Sequence, residues 1–118
     1  MSEQHYSGSC QCGAVTFEAD LDLDSTITCN CSRCQRLGSV LTFVPRNKLV
    51  VKSGLDKLTE YTFNKHIIKH QFCKVCGIEP FAFAVDPQGN PAAAVNVNSL
   101  DGVEPRALKS HHIDGKSM

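Results

Sequence analysis

The sequence predicts a small, mainly β domain with little helix. Segments of alternating polar and apolar character, rich in β-branched and aromatic residues, recur at short intervals along the 118 residues, the period-two signature of half-buried strands. Turn-forming residues punctuate them, and one short stretch alone carries both a capping residue at its start and a glycine at its end. A third observation concerns how so small a domain holds together: its seven cysteines fall into three tight clusters.

The elements follow in chain order. Residues 14–19 form a strand with Val15 and Phe17 on one face. Residues 32–37 form a short helix capped by Ser32 and ended by Gly38, with Arg33 and Arg36, three apart, on one face. Strands follow at 40–44, 49–52 and 58–63, the last two joined through Ser53, Gly54 and Asp56. A strand at 67–72 comes next, then strands at 81–85 and 93–97 separated by Pro87, Gly89, Asn90 and Pro91. Tyr61 and Phe17, Phe43, Phe63, Phe72, Phe81 and Phe83 alternate with polar neighbours and read as core. No repeat, low-complexity tract or linker interrupts the chain, so residues 1–118 are expected to form a single domain.

Lysine plus arginine and aspartate plus glutamate both number 12, and the pI is 6.9. A dedicated nucleic-acid binder would carry a basic excess, so that class is disfavoured. The longest apolar run, Phe81–Val85, falls far short of the roughly 20 residues that cross a bilayer. The start of the chain carries no apolar stretch of signal-peptide type, and the expectation is a soluble, cytoplasmic protein without a membrane partner.

The clusters are Cys10-Gln11-Cys12, Cys29-Asn30-Cys31-Ser32-Arg33-Cys34 and Cys73-Lys74-Val75-Cys76. In a reducing compartment such spacings mean metal or redox chemistry more often than disulfides, and an odd count argues against full pairing. Thiolates are preferred ligands of Zn²⁺; a closed structural site takes four, and a reactive site takes three protein ligands and keeps one position open. Seven therefore divides into a site for folding and a site for chemistry. Pairing Cys10 and Cys12 with Cys73 and Cys76 closes a loop of about sixty residues, a long clip on the unfolded chain. Cys29, Cys31 and Cys34 then supply three ligands from one short segment. Spacing alone also allows Cys29 with Cys31, or Cys31 with Cys34, to join Cys73 and Cys76. Gly8, Gly13 and Gly77 flank the clusters, where tight backbone lets N–H groups point at sulfur.

These motifs, Gly8-Ser9-Cys10-Gln11-Cys12-Gly13-Ala14-Val15, Thr28 through Arg36 and Phe72 through Gly77, resemble the glutathione-dependent formaldehyde-activating enzyme family, whose domain centromere protein V shares. The resemblance extends through Asn96 to Asp101 and His111-His112-Ile113. It implies a zinc-stabilised β-tent of short antiparallel sheets. It assigns Cys10, Cys12, Cys73 and Cys76 to a structural zinc, and Cys29, Cys31 and Cys34 to a second, open zinc where the chemistry occurs. It also implies a carbon–sulfur lyase of the S-(hydroxymethyl)glutathione synthase type, acting on a glutathione-like thiol and a formaldehyde-like aldehyde. The alternative is a non-catalytic zinc-binding module for protein interaction.

Other polar residues carry weaker signals. Arg33, Arg36, Asn30 and Ser32 interleave with the middle ligands and suit a substrate carboxylate, although a solvated helix face is the ordinary reading. His66 and His70, four apart and on one face of extended chain around Ile67 and Ile68, are a faint third metal site. His111 or His112 is a candidate to complete or touch the second zinc site.

Overall fold

The computed structural model describes residues 3–117 and contains ten strands and one short α-helix. In chain order these are β1 (Gln4–Ser9), β2 (Thr16–Leu21), β3 (Ile27–Cys29), α1 (Ser32–Leu37), β4 (Leu41–Pro45) and β5 (Leu49–Ser53). Then come β6 (Leu58–Tyr61), β7 (Lys69–Cys73), β8 (Phe81–Val85), β9 (Pro91–Asn96) and β10 (His111–Ile113). They form a three-stranded sheet ordered β1-β2-β5 and a seven-stranded sheet ordered β10-β3-β4-β9-β8-β7-β6. The mainly β expectation is met. None of the described helices is long and apolar enough to cross a membrane.

Period-two patterning decides which side chains enter the core. Along β2 the alternate residues Phe17, Ala19 and Leu21 are buried. On the large sheet the same rule buries Thr42 and Val44 of β4, which turns Phe43 outward to 50% exposure. Phe43 is therefore a surface residue rather than the expected core member. Tyr61 is also largely exposed, at 44%. The two sheets meet where Phe17 sets its ring edge-on to Phe81 of β8, with centroids 5.4 Å apart and planes at 82°. Val15, Val95, Val97 and Leu100 surround that contact.

β9 lies between β4 and β8 and is buried from Ala92 to Asn96. Its three consecutive alanines pair with Phe43, Val44 and Pro45 on one side and with Ala82, Phe83 and Ala84 on the other. A strand covered on both faces need not alternate, which is why its sequence reads as a continuous apolar run.

Three strands that the sequence does not signal share one cause. β1 and β10 carry no apolar alternation and β3 has only three residues, so their backbone partners make them strands: β1 runs antiparallel to β2, while β10 lies parallel to β3. The β10 pairing also departs from the expected all-antiparallel arrangement. The strand expected over 67–72 begins only at Lys69, because Asn64 and His66 adopt left-handed conformations, with φ of 56° and 57°, and turn the chain. Ile67 and Ile68 are left exposed.

Replacing Phe17 by Ala removes the ring that joins the sheets and should cost about 3–5 kcal/mol of stability, the usual range for a large buried aromatic. Denaturant unfolding measures this. A loss below about 1 kcal/mol would mean that the two sheets are held together elsewhere.

Candidate metal centres

Cys10 and Cys12 lie in the turn between β1 and β2, Cys73 ends β7, and Cys76 sits in the turn that follows. The turns are built by backbone bonds: Cys10 N–H to Val15 O at 3.0 Å, Cys73 N–H to Ile78 O at 2.9 Å and Gly77 N–H to Cys73 O at 2.8 Å. Gly13 and Gly77 close them with φ of 82° and 83°, a region that residues with a Cβ avoid. Amides then point at sulfur, Val15 N–H to Cys10 Sγ at 3.3 Å and Val75 N–H to Cys73 Sγ at 3.4 Å.

The four sulfur atoms lie within 4.8 Å of one another, with Cys10–Cys12 at 3.7 Å and Cys12–Cys73 at 3.8 Å. A tetrahedral ion with Zn–S bonds of about 2.3 Å places its sulfurs roughly 3.8 Å apart. The donor set therefore fits zinc in number, kind and spacing. Crowding also divides the protons of these thiols. At Cys12 the Ala14 amide favours the thiolate, but desolvation and the thiols of Cys10, Cys73 and Cys76 outweigh it and push the pKa up to about 11. At Cys76 desolvation opposes ionisation, while the amides of Ile78 and Cys12 and the neighbouring thiols bring the pKa down to about 6. Four adjacent sulfurs cannot all be anionic without a cation among them.

The second group is local. Cys29 ends β3, Cys31 is the N-cap of α1, and Cys34 lies within the helix. The cap is the sulfur of Cys31, which accepts the Cys34 amide at 3.3 Å; the expected cap, Ser32, is the first helical residue instead. Gly38 ends the helix in the left-handed conformation, as expected. Cys29, Cys31 and Cys34 bring their sulfurs within 4.8 Å, and no histidine, aspartate or glutamate joins them among the described residues. Burial first, then the Cys31 thiol and the charges of Cys31, Cys29 and Glu79, hold the Cys34 thiol well above the usual range. At Cys31 burial opposes ionisation, but the amides of Cys34 and Arg33 prevail and lower its pKa.

The polar residues around this group are engaged rather than loose. Arg33 donates to Glu79 Oε1 from Nε at 2.9 Å and from Nη2 at 2.7 Å, while Arg36 turns back to the Ser32 carbonyl. Asn30 donates to Asp114 and accepts the Lys116 amide at 3.0 Å, so the segment after β10 folds over the cluster. Gly115 packs directly on Cys29: a Cβ there would collide with the sulfur. Glu79 and Gly115 carried no cysteine-like spacing and were not expected at the site. The nearest sequence clue was an acidic residue set between Ile78 and Pro80-Phe81.

None of the histidines joins either cysteine group among the described residues. His66 sits in a turn and contacts Thr62, whereas His70 is buried against Glu79, and the two belong to no common group. His112 lies on β10 with Nδ1 2.9 Å from the Thr28 hydroxyl, and neither it nor His111 joins the cysteines. Parallel pairing of β10 with β3 brings Ile113, not a histidine, opposite Cys29.

A groove of about 240 Å³ opens where the segments flanking all three clusters converge, lined among others by Gln11, Leu37, Glu79, Asn96, Asn98 and Ser99. A larger depression at Pro45, Arg46 and Pro91 touches none of the cysteines. Replacing Gly115 by Ala should force the 114–117 segment off Cys29 and break the Lys116–Asn30 hydrogen bond. Hydrogen exchange reads this as lost protection at the Lys116 amide with unchanged protection in β8 and β9; retained protection would contradict the packing described.

The family model for the glutathione-dependent formaldehyde-activating enzyme matches residues 5–113. Among solved structures, a Rhodobacter sphaeroides protein determined as a structural-genomics target is similar, with 34% identity and a TM-score of 0.80. The match covers 90% of this chain and 97% of that one. The cysteine clusters, the two-sheet fold and this match over nearly the whole sequence place the chain in the glutathione-dependent formaldehyde-activating enzyme family.

Proposed function

We propose that residues 1–118 act as one domain that binds two Zn²⁺ ions and makes or breaks a carbon–sulfur bond between a small thiol of the glutathione type and an aldehyde of the formaldehyde type. Cys10, Cys12, Cys73 and Cys76 would hold a structural ion, and Cys29, Cys31 and Cys34 a second one. The observation that carries the reading is the contrast between a four-sulfur group, which saturates a tetrahedral ion, and a three-sulfur group with no fourth side-chain ligand among the described residues. The family description supports the substrate class.

Zinc bound at the middle group would supply an open position at which an incoming thiol is held as its thiolate. Three thiolates leave that ion with a single net negative charge, so it is a weaker electrophile than one held by neutral histidines. Its suited role is to position a nucleophile. In the forward direction the thiol sulfur forms a bond to the aldehyde carbon, the carbonyl π pair moves to oxygen, and the proton lost by the thiol ends on that oxygen. The reverse direction cleaves the same bond and returns thiol and aldehyde.

The chain's own residues set the surroundings of that event. Gly115 and the Asn30–Asp114 pair close the Cys29 side of the cluster. The groove lined by Gln11, Asn98 and Ser99 offers amide and hydroxyl partners to the body of a peptide-like thiol.

The test compares wild type with Cys34→Ser against a panel of small thiols and aldehydes. The expected result is adduct formation or cleavage above background in wild type and its loss in the folded variant; wild-type rates equal to the uncatalysed background would end the proposal for those substrates. Cys73→Ser should instead unfold the domain. Structural zinc contributes about 10–16 kcal/mol of apparent binding free energy in small domains, as much as or more than the usual net stability of about 5–15 kcal/mol. Circular dichroism with and without chelator reads this, and a normally folded, chelator-insensitive Cys73→Ser protein would contradict the division.

A further inference from the structure

Helix α1 carries Cys34, and its N-cap is Cys31, yet it buries none of its six residues. Leu37, its largest apolar side chain, is 41% exposed. Hydrophobic packing, which orients most helices in proteins, therefore contributes little to the placement of this one. What fastens it to the sheets is polar: Asn98 donates to the Gly38 carbonyl at 3.3 Å, and Arg33 bonds Glu79.

Glu79 is the better built of these anchors. Its side chain is 7% exposed, with Arg33 on one carboxylate oxygen and His70 Nδ1 at 2.7 Å on the other. Asn96 holds its backbone as well, donating from Nδ2 to the Glu79 carbonyl at 2.8 Å. Aromatic rings complete a circuit. The Arg33 guanidinium lies 4.8 Å from the centre of the Tyr61 ring, Tyr61 stacks on Phe63, and Phe63 stacks on His70. His70 lies three residues before Cys73 on β7, and Glu79 three residues after Cys76.

We propose that Glu79 is a positioning residue: through Arg33 and His70 it docks α1, and with it Cys31 and Cys34, onto the strand that ends in the four-cysteine group. It thereby sets the metal affinity of the middle centre. A buried carboxylate with an arginine on one oxygen and an imidazole on the other has a single low-energy arrangement, because loss of either partner leaves charge buried and uncompensated. It is therefore a stiff link where apolar contacts would permit sliding. The inference rests on the reading that the middle group binds a metal, and it goes beyond that reading by making the affinity of one centre depend on a residue that belongs to neither ligand set.

The experiment is a two-site titration of the full chain with Co²⁺, whose ligand-field bands separate a four-sulfur from a three-sulfur site, followed by Zn²⁺ competition against a chromophoric chelator. Glu79→Gln keeps the side-chain shape and removes its charge. The expected result is a middle-site affinity lowered by about 10–100-fold, the usual effect of removing a partner that orients metal ligands, with the four-cysteine site unchanged. Arg33→Met, at a side chain 22% exposed, should lower the same affinity and carries the test if Glu79→Gln does not fold. Unchanged affinity at both sites would overturn the inference. So would an equal loss at both sites or unfolding of both variants, since each would mean that Glu79 supports the whole fold. A wild-type chain that takes up one ion alone would overturn the functional proposal along with this one, whereas two ions in wild type with an indifferent Glu79→Gln variant would overturn this one alone.

Discussion

Seven sulfur atoms drawn into two groups, each within 4.8 Å, impose the constraint around which the remaining structure is arranged. Sulfurs that close cannot all ionise unless protons or a cation lie among them, and the thiol pKa raised at Cys12 but lowered at Cys73 and Cys76 reflects that crowding. Backbone amides supply part of the compensation, since Val15, Val75 and Cys34 each direct an N–H at a sulfur. The turns that make this possible bend through Gly13 and Gly77 at positive φ.

The two groups differ in what they join. The four-cysteine group connects the β1–β2 hairpin of the small sheet to the end of β7 in the large one, on the same side of the molecule where Phe17 meets Phe81. Cys10 and Cys73 are themselves buried members of that core. The three-cysteine group draws all its sulfurs from one short segment. It sits on the β3–α1 junction, half-buried, with the 114–117 segment over one side. That difference in architecture, continuous with the core in one case and perched on a loosely packed helix in the other, is what supports the proposal of a folding role for the first and a reactive role for the second.

Glu79 draws the two regions into one polar unit. A single buried carboxylate receives the arginine that lies between Cys31 and Cys34 and the histidine that precedes Cys73. Tyr61 and Phe63 are accounted for by the same unit, as the aromatic side of a circuit that closes on Arg33 and His70. The exposure of Tyr61 and Phe43, which the alternation of the sequence assigned to the core, follows from strand facing: β4 turns Thr42 and Val44 inward, and Tyr61 lies on the edge strand β6.

The sequence by itself determined what local chemistry and local periodicity determine. Alternation and short apolar runs located β2, β4, β5, β8 and β9, Gly38 marked the end of the one α-helix, and thiol spacing with flanking glycines separated three clusters whose four-plus-three division the sulfur positions reproduce. Tertiary structure alone decided the rest, because it depends on partners far apart in the chain. β1, β3 and β10 are polar or very short segments that become strands by pairing, and positive φ at Asn64 and His66 removed Ile67 and Ile68 from a strand that their side chains favoured. His70 and Glu79 acquired their roles through contacts on the folded sheet, and Gly115 met Cys29 across eighty-six residues of sequence. A carboxylate flanked by apolar residues has no periodicity to betray it; only the folded sheet places an arginine and a histidine on its two oxygens.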